Sequence, residues 1–215
     1  MKLLFVTATN TNIGKTYATL RLIDHFSQQN IAVGVCKPIE TGVEDEPMDA
    51  KLLLHAVQKE NKNFKNLTPK AITAYTFKLP AAPFSADTNK IISIKKIKNK
   101  IKELSKLCEL LIIEGAGGLM VPIKANYFMI DLIEELDSDV LLVTPSKLGC
   151  INETLLSINI LEQRGIAFDW TVNLYEEQEA FITRTQPFYD QRFPSWWDLQ
   201  NNLDQYVKNY IKNAL

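Results

Sequence analysis

The sequence predicts a doubly wound α/β domain built on a mainly parallel sheet. Apolar runs of strand length alternate along the chain with longer amphipathic stretches, an order typical of strands joined by crossover helices. The apolar runs are continuous rather than alternating, which indicates strands that are buried on both faces. Because the 215 residues contain no internal repeat and no low-complexity linker, we expect one domain over residues 1–215.

Each predicted strand is a short apolar run, and an amphipathic stretch of helical length follows most of them. The strands are assigned to residues 3–6, 31–36, 110–113, 140–143 and 170–173. The helices are assigned to residues 16–28, 50–58, 94–107, 128–136 and 152–164, with a C-terminal helix at 198–212 packed on the body. Gly165 ends the fifth helix, and residues 60–83 are interpreted as a long connection within the domain.

Composition excludes several classes of function. With 24 Lys and Arg against 25 Asp and Glu, the net charge of −1 gives no general field for nucleic acid or anionic lipid. The three cysteines are far apart in the sequence and there are only two histidines, which excludes a zinc site and a disulfide framework. The first apolar run stops at Thr7, too early for a secretion signal. We therefore expect a cytoplasmic protein with no nucleic-acid or membrane partner.

Residues 90–106 contain seven lysines and are the one strongly basic segment. They could form a nucleic-acid or membrane patch. However, the apolar residues Ile94, Ile97, Ile101 and Leu104 fall on one helical stripe, so the lysines cover the other faces. The pattern favours a solvated helix face over a binding site.

A phosphate-binding loop is predicted directly after the first strand. Residues 7–16 read Thr-Ala-Thr-Asn-Thr-Asn-Ile-Gly-Lys-Thr and precede the first helix. In such a loop Gly14 allows close approach, Lys15 reaches the β- and γ-phosphates, and the Thr16 hydroxyl binds Mg²⁺. The strict P-loop pattern has a glycine where this chain has Thr9, so we predict a variant P-loop. An ordinary strand-to-helix turn is the alternative.

Three further motifs follow strands, at the edge where α/β sheets bind their ligands. The second strand leads into Lys37, followed by the hydroxyl residue Thr41. The third leads into Glu114 and a turn rich in glycine at residues 115–118, and a carboxylate beside a phosphate loop commonly holds the metal. The fourth leads into residues 145–152, where a helix N-terminus suits a carboxylate ligand, although a plain loop with Asn152 as helix cap is equally favoured.

Taken in order, these motifs resemble the dethiobiotin synthetase family, ATP-dependent carboxylases of biotin biosynthesis. The match runs from residue 1 to about residue 173. The resemblance implies a ligase that uses ATP and Mg²⁺ to carboxylate 7,8-diaminopelargonate with CO₂ and close the ring of dethiobiotin, giving ADP and phosphate. It also implies a homodimer with the substrate bound at the subunit interface.

The resemblance also implies roles for individual residues. The catalytic residues are Lys37, Lys15 and Thr11, and the metal ligands are Thr16, Asp49 and Glu114. The nucleotide-binding residues are Asn12, Ile13, Gly14, Lys15, Thr16, Tyr17, Asp49, Glu114, Gly115, Ala116, Gly117 and Asn173, the last contacting the base. The substrate-binding residues are Lys37, Thr41, Gly118 and, from the neighbouring chain, Leu148, Gly149, Cys150, Ile151 and Asn152.

The chain departs from the family pattern at three places. Ala8 replaces a glycine, Asn12 replaces a common acidic residue, and the segment after Asn173 lacks the Gly-x-Ile/Leu-Pro run that frames adenine. We therefore predict looser recognition of the nucleotide base. We also expect Lys37→Ala to lose most of its turnover and leave folding intact. The alternative function is a nucleotide-switch ATPase of the partition or septum-positioning type.

Overall fold

The computed structural model describes residues 2–215 and confirms the predicted α/β class. Its elements in chain order are β1 (Lys2–Ala8), α1 (Lys15–Gln28), β2 (Val33–Cys36), β3 (Ile39–Thr41), α2 (Met48–Glu60), β4 (Tyr75–Phe77), α3 (Pro83–Ala86), α4 (Ile94–Ser105), β5 (Leu110–Gly118), β6 (Pro122–Lys124), β7 (Tyr127–Phe128), α5 (Met129–Leu136), β8 (Asp139–Pro145), α6 (Cys150–Gln163), β9 (Phe168–Asn173), α7 (Gln178–Ala180), α8 (Gln186–Arg192) and α9 (Leu203–Ala214).

The main sheet has five strands in the order β2-β5-β1-β8-β9, and every neighbouring pair is parallel. β1 lies at the centre, between β5 and β8. Leu4 to Ala8 and Leu110 to Gly115 are buried without interruption, as expected for strands covered on both faces. Because all five strands are parallel, their carboxyl ends meet at one edge, where the loops predicted to carry chemistry emerge.

The connection at residues 60–83 is more ordered than predicted. It contains two short 3₁₀ turns, Lys62–Phe64 and Pro69–Ile72, whose Phe64 and Ile72 side chains are buried. It then forms β4, which pairs in parallel with β3. A second small pair, β6 with β7, is antiparallel. These pairs lie outside the main sheet.

Three predicted boundaries are wrong for identifiable reasons. The glycine-rich residues 115–118 continue β5 rather than forming a turn. The last helix begins at Leu203 instead of residue 198, because the chain at 197–199 runs beside β9: Val172 donates to the Trp197 carbonyl and Leu199 to the Val172 carbonyl. α6 begins at Cys150 after Gly149, whose φ is 93°, so Asn152 lies inside the first turn and is not the cap.

The lysine-rich helix α4 has the predicted amphipathic arrangement. Ile97, Ile101 and Leu104 are buried, and Ile94 packs against the core. Lys98 pairs with the carboxylate of Glu135 at 2.8 Å across the surface.

The region after β9 is held by a second, aromatic cluster of buried residues. Its members are Cys150, Val172, Phe181 and Tyr189, with Trp170, Phe193 and Trp196 packed against them. The Tyr189 hydroxyl donates to Thr154 at 3.0 Å, which ties this region to α6.

Within residues 2–215, the helices are all too short or too polar to cross a bilayer.

Candidate functional site

A cleft of about 1140 Å³ opens at the carboxyl ends of β1, β2 and β5. It collects most of the residues predicted for nucleotide, metal and substrate. The predicted residues that line it are Thr11, Asn12, Gly14, Lys15, Thr16, Tyr17, Lys37, Thr41, Asp49, Glu114, Ala116, Gly117 and Asn173. The structure therefore brings these predicted residues together at one cleft.

The loop between β1 and α1 has the geometry of a phosphate loop. Gly14 adopts a left-handed conformation with φ 99°, and α1 begins immediately after it at Lys15. No side chain caps this helix, so the first-turn N–H groups and the positive end of the helix dipole face the cleft. The Lys15 ammonium donates to the Asn10 carbonyl at 3.0 Å. The loop is thus arranged to receive an anion.

Thr9, at the position where the strict pattern has glycine, has a specific partner. Its hydroxyl donates to the Glu153 carboxylate of α6 at 3.0 Å. The substitution therefore connects the phosphate loop to the first turn of α6.

Lys37 lies between two carboxylates in the floor of the cleft. Its ammonium is 2.5 Å from Glu114 Oε1 and 3.0 Å from Asp49 Oδ2. The Thr16 hydroxyl donates to the same Glu114 oxygen at 3.0 Å. Glu114 is completely buried and Lys37 nearly so, whereas the Asp49 side chain is 42% exposed. The residue that follows β2 and residues from β5, α1 and α2 thus converge on one charged cluster.

The two lysines of the cleft have opposite pKa shifts. Burial alone would lower the pKa of Lys37, but Glu114 and Asp49 outweigh it, and the net effect is a raised pKa. For Lys15, burial and the nearby charge of Lys37 lower the pKa to about 8. Lys37 therefore stays charged at neutral pH, whereas Lys15 loses its proton at a pH slightly above neutrality.

The residues predicted as metal ligands suit Mg²⁺. Glu114 Oε2 is buried and has no hydrogen-bond partner among residues 2–215, so a donor or a cation would satisfy it. Two carboxylates and a hydroxyl are hard oxygen ligands of the kind Mg²⁺ prefers, with water and substrate phosphates completing its shell. Among the described residues, no three or more His, Cys, Asp or Glu side chains are placed so that they alone could hold a metal ion.

The glycines that follow Glu114 allow close packing. A Cβ added to Gly115 would lie 2.9 Å from the Phe5 ring, and one added to Gly118 would lie 2.7 Å from the Thr9 carbonyl. Neither residue lines the cleft, and nor does the buried Ile13. These three predicted ligand residues therefore shape the walls rather than face the cavity.

Asn173 is fixed by the protein itself. Its amide donates to the Ile13 carbonyl at 3.0 Å and accepts from Gln200 at 2.7 Å. Gln200 also accepts from the Leu174 N–H at 2.9 Å. The side chain predicted to contact the base is thus held between the phosphate loop and the residues before α9.

The predicted substrate-binding segment 148–152 lies outside the cleft of its own chain. Leu148 is 90% exposed, and its N–H donates to the Glu177 carboxylate at 3.1 Å. The Cys150 side chain points into the aromatic cluster. Ile151 is partly buried against the same cluster, so any contact of this segment with a ligand would involve backbone N–H groups of α6 or the exposed Leu148 and Asn152.

Several cleft residues were missed by the sequence analysis. Those with polar side chains or a tyrosine ring are Glu40, Tyr175, Gln178 and Gln200. The others are residues 80–83, Ile39, Val121 and Leu174. Glu40 stands between Lys37 and Thr41 and could have been suspected from that position. Burial raises its pKa, and bonds from the Ala50 and Asp49 N–H groups oppose that rise.

Gly14→Ala is expected to weaken nucleotide binding. The left-handed backbone costs an alanine about 1–2 kcal/mol, and its Cβ would lie 2.2 Å from the Asn173 amide nitrogen. Because Asn173 must move, we expect ADP affinity, measured by calorimetry, to fall about tenfold or more, equivalent to 1.4 kcal/mol. Gly165→Ala is the matched control, since Gly165 has φ 66° and nothing within 4 Å of its added Cβ. Equal ADP affinities for the two variants would contradict the prediction.

ADP binding without metal is expected to weaken as pH rises through about 8, the pKa of Lys15. Above that pH the free protein has lost the Lys15 charge, so binding must take up a proton and log affinity should fall by up to about one unit per pH unit. Lys37, Glu114 and Asp49 surround Lys15, and Lys37 keeps its charge throughout this range. Calorimetric titrations in EDTA measure the effect, and Lys15→Arg should remove it. A slope that survives in Lys15→Arg would assign the proton to another group.

Comparison with known proteins gives consistent matches over most of the chain. A family model described as "AAA domain" matches residues 2–171. The chain is 55% identical over 209 residues to the ATP-dependent dethiobiotin synthetase BioD of Sulfurovum sp., covering 97% of this chain and 100% of that protein. It is 35% identical to the protein of the same name from Wolinella succinogenes, covering 98% and 99%.

Solved structures show the same fold at low sequence identity. The MinD cell division protein of Aquifex aeolicus superposes with a TM-score of 0.52 at 14% identity, covering 99% of this chain and 90% of that one. The GTPase PAB0955 of Pyrococcus abyssi superposes with a TM-score of 0.55 at 13% identity, covering 97% and 83%. These similarities concern the arrangement of the sheet and helices.

Proposed function

This chain belongs to the ATP-dependent dethiobiotin synthetase family, and we propose that the cleft between its phosphate loop and Lys37 is the active site. The family's reaction joins 7,8-diaminopelargonate and CO₂ at the expense of ATP and yields dethiobiotin, ADP and phosphate. One amine captures CO₂ as a carbamate, the carbamate oxygen takes the γ-phosphoryl group, and the second amine attacks the carbonyl carbon and expels phosphate. The reaction needs no protein nucleophile.

The observation that carries this assignment is the position of Lys37. Its charged ammonium lies within 3.0 Å of both Glu114 and Asp49, beside the phosphate loop. A phosphoryl transfer depends mainly on alignment and on neutralising the charge of the transferred group. We assign to Lys37 the stabilisation of the carbamate and the γ-phosphoryl oxygens, and to Lys15 and the loop N–H groups the binding of the phosphates. We assign to Thr11, which lines the cleft, a contact with the transferred phosphoryl group.

Thr16, Glu114 and Asp49 are the residues that would hold Mg²⁺. The ion, when bound, would neutralise phosphate charge. In this chain the Thr16 hydroxyl and Lys37 both contact Glu114 Oε1, which leaves Oε2 free and buried. Glu114 and Asp49 also keep Lys37 protonated, so that this lysine acts as a fixed cation rather than a base.

We further propose that the chain acts as a homodimer in which α6 of one subunit completes the substrate site of the other. Thr41 lines the cleft, whereas residues 148–152 of the same chain do not. Two apolar side chains are exposed in this region, Leu148 just before α6 and Leu156 within it. The N–H groups of the first turn of a helix suit the carboxylate of the substrate tail. Light scattering tests the dimer. A monomer with full turnover would contradict it.

The base site is proposed to be tolerant of different nucleobases. In place of the family's adenine-framing segment, Tyr175 stands at the cleft with its ring half-exposed and its hydroxyl donating to the Asn12 carbonyl at 3.1 Å. An aromatic ring can stack on any base. Asn173, which the family uses toward the base, has its carbonyl oxygen occupied by Gln200. Turnover with GTP or CTP in place of ATP should therefore be measurable. Strict dependence on ATP would contradict this proposal.

The function is tested by phosphate release from the purified protein. We expect turnover only when the diamine, bicarbonate, nucleotide and Mg²⁺ are all present, with dethiobiotin formed in equal amount. Omitting each component in turn gives the controls. A nucleotide-switch ATPase, the alternative, would release phosphate without the diamine and respond to DNA or lipid vesicles. That outcome would overturn the proposed function.

A further inference from the structure

The helix that carries Asp49 has no cap of its own. α2 begins at Met48 after Pro47, which has no side-chain oxygen to accept first-turn N–H groups. The Lys51 N–H donates to the Pro47 carbonyl at 2.9 Å, whereas the N–H groups of Asp49 and Ala50 need acceptors from elsewhere in the chain.

Glu40 provides both acceptors from the neighbouring strand β3. Its Oε1 accepts from the Asp49 N–H at 2.9 Å, and its Oε2 accepts from the Ala50 N–H at 3.0 Å. The residue is only 6% exposed. A carboxylate is suited to this position, because its two oxygens match two adjacent donors and its charge is stabilised by the helix dipole.

These bonds fix the backbone of Asp49 itself. Ala50, the next residue, is wholly buried, so the first turn of α2 is held on one side by packing and on the other by Glu40. The Asp49 carboxylate then stands 3.0 Å from Lys37 while remaining open to the cleft. The same strand carries Thr41, so one short element connects the metal ligand to the substrate site.

We propose that Glu40 is a positioning residue that holds Asp49 in place for metal binding. This inference rests on the proposed function, in which Asp49 is a ligand of Mg²⁺. Glu40 touches neither Lys37 nor Thr16 in its hydrogen-bonding, and acts through the Asp49 backbone. Its loss should therefore affect the metal more than the nucleotide.

Glu40→Gln tests the proposal, because the amide keeps the size of the side chain but turns one acceptor into a donor facing a backbone N–H. Calorimetry of the protein with ADP gives the Mg²⁺ concentration for half-saturation, and parallel titrations in EDTA give the metal-free ADP affinity. We expect the Mg²⁺ concentration for half-saturation to rise about tenfold, which is the effect typical of losing a group that orients a metal ligand. Metal-free ADP affinity should change less than about twofold.

Asp87→Asn is the matched control, because Asp87 forms the same kind of fork. It is 7% exposed, and its two oxygens accept from Ile91 and Ile92 N–H groups at 2.9 and 2.8 Å, away from the cleft. Both variants should lose stability on heating, but only Glu40→Gln should lose metal affinity. Equal Mg²⁺ requirements in Glu40→Gln and wild type would overturn the proposal and leave the proposed function standing.

The remaining outcomes also decide the proposal. If Glu40→Gln does not fold, Glu40→Asp keeps the charge but withdraws it by one methylene, and the same rise in Mg²⁺ requirement is expected. An unchanged requirement in that variant would overturn the inference. A wild-type protein whose nucleotide binding and turnover ignore Mg²⁺ would overturn both the inference and the assignment of the metal ligands.

Discussion

Lys37→Ala is expected to reduce dethiobiotin formation by a factor of about 10³, because the variant removes a preorganised charge at the proposed site of phosphoryl transfer. The Lys37 ammonium contacts Glu114 and Asp49, whereas the neighbouring Lys15 ammonium is bonded to the Asn10 carbonyl and does not make these contacts. Turnover is measured as phosphate release with all substrates present. Metal-free ADP affinity should change much less than turnover. Turnover within about tenfold of wild type would remove Lys37 from the catalytic machinery.

The same substitution is also expected to destabilise the protein, contrary to the prediction from sequence that folding would be unaffected. Lys37 is 4% exposed and Glu114 is not exposed at all, so Lys37→Ala leaves a buried carboxylate without its partner. Breaking such a pair typically costs about 3–5 kcal/mol. Lys2→Ala is the control, because the Lys2 pair with Asp139 is more than one-third exposed on both sides and should contribute under about 1 kcal/mol.

Stability and catalysis can be separated with a double variant. Lys37→Ala combined with Glu114→Ala removes both members of the pair, and the free energy of unfolding measured in urea should return toward the wild-type value. Turnover should remain lost, because both residues belong to the proposed active site. Recovery of turnover together with stability would show that Lys37 acts only in folding.

The sequence predicted the five strands of the main sheet because each is a local apolar run. It also located the phosphate loop, Lys37 and Glu114, since these follow strands directly and parallel strands end at one edge. The short pairs β3–β4 and β6–β7 were missed. Their strands have two or three residues, too few for a periodic pattern, and their pairing depends on contacts far along the chain.

The missed parts of the site depend on tertiary partners. The bonds from Asp49 and Ala50 to Glu40 join a strand to a helix across a loop, and nothing in the local sequence identifies Glu40 as a cap. Gln200 reaches Asn173 across 27 positions, only because the chain at 197–199 pairs with β9. The glycines after Glu114 were predicted to form a turn, whereas Gly115 and Gly118 instead serve close approach to β1 and the loop after it.

Glu114→Gln is expected to have opposite effects on metal and nucleotide. The amide can still accept from Thr16 and Lys37 through one oxygen, so the hydrogen bonds to Oε1 can persist while the negative charge is lost. The cluster of Lys15, Lys37, Glu114 and Asp49 changes from neutral to positive. Metal-free ADP should therefore bind more tightly, whereas the Mg²⁺ concentration for half-saturation should rise at least tenfold, by about 1.4 kcal/mol or more.

Turnover of Glu114→Gln should fall by about 10²-fold or more, since a correctly placed metal depends on the carboxylate. Glu109→Gln is the matched control, because Glu109 is an exposed carboxylate just before the opposite end of the same strand. The decisive feature is that Mg²⁺ binding becomes weaker while the binding of metal-free ADP becomes tighter. A variant that is merely misfolded would bind both ligands less well, whereas loss of a metal ligand beside the phosphates must weaken one and strengthen the other. Weaker binding of metal-free ADP by a folded Glu114→Gln would contradict the assignment of Glu114 to the metal.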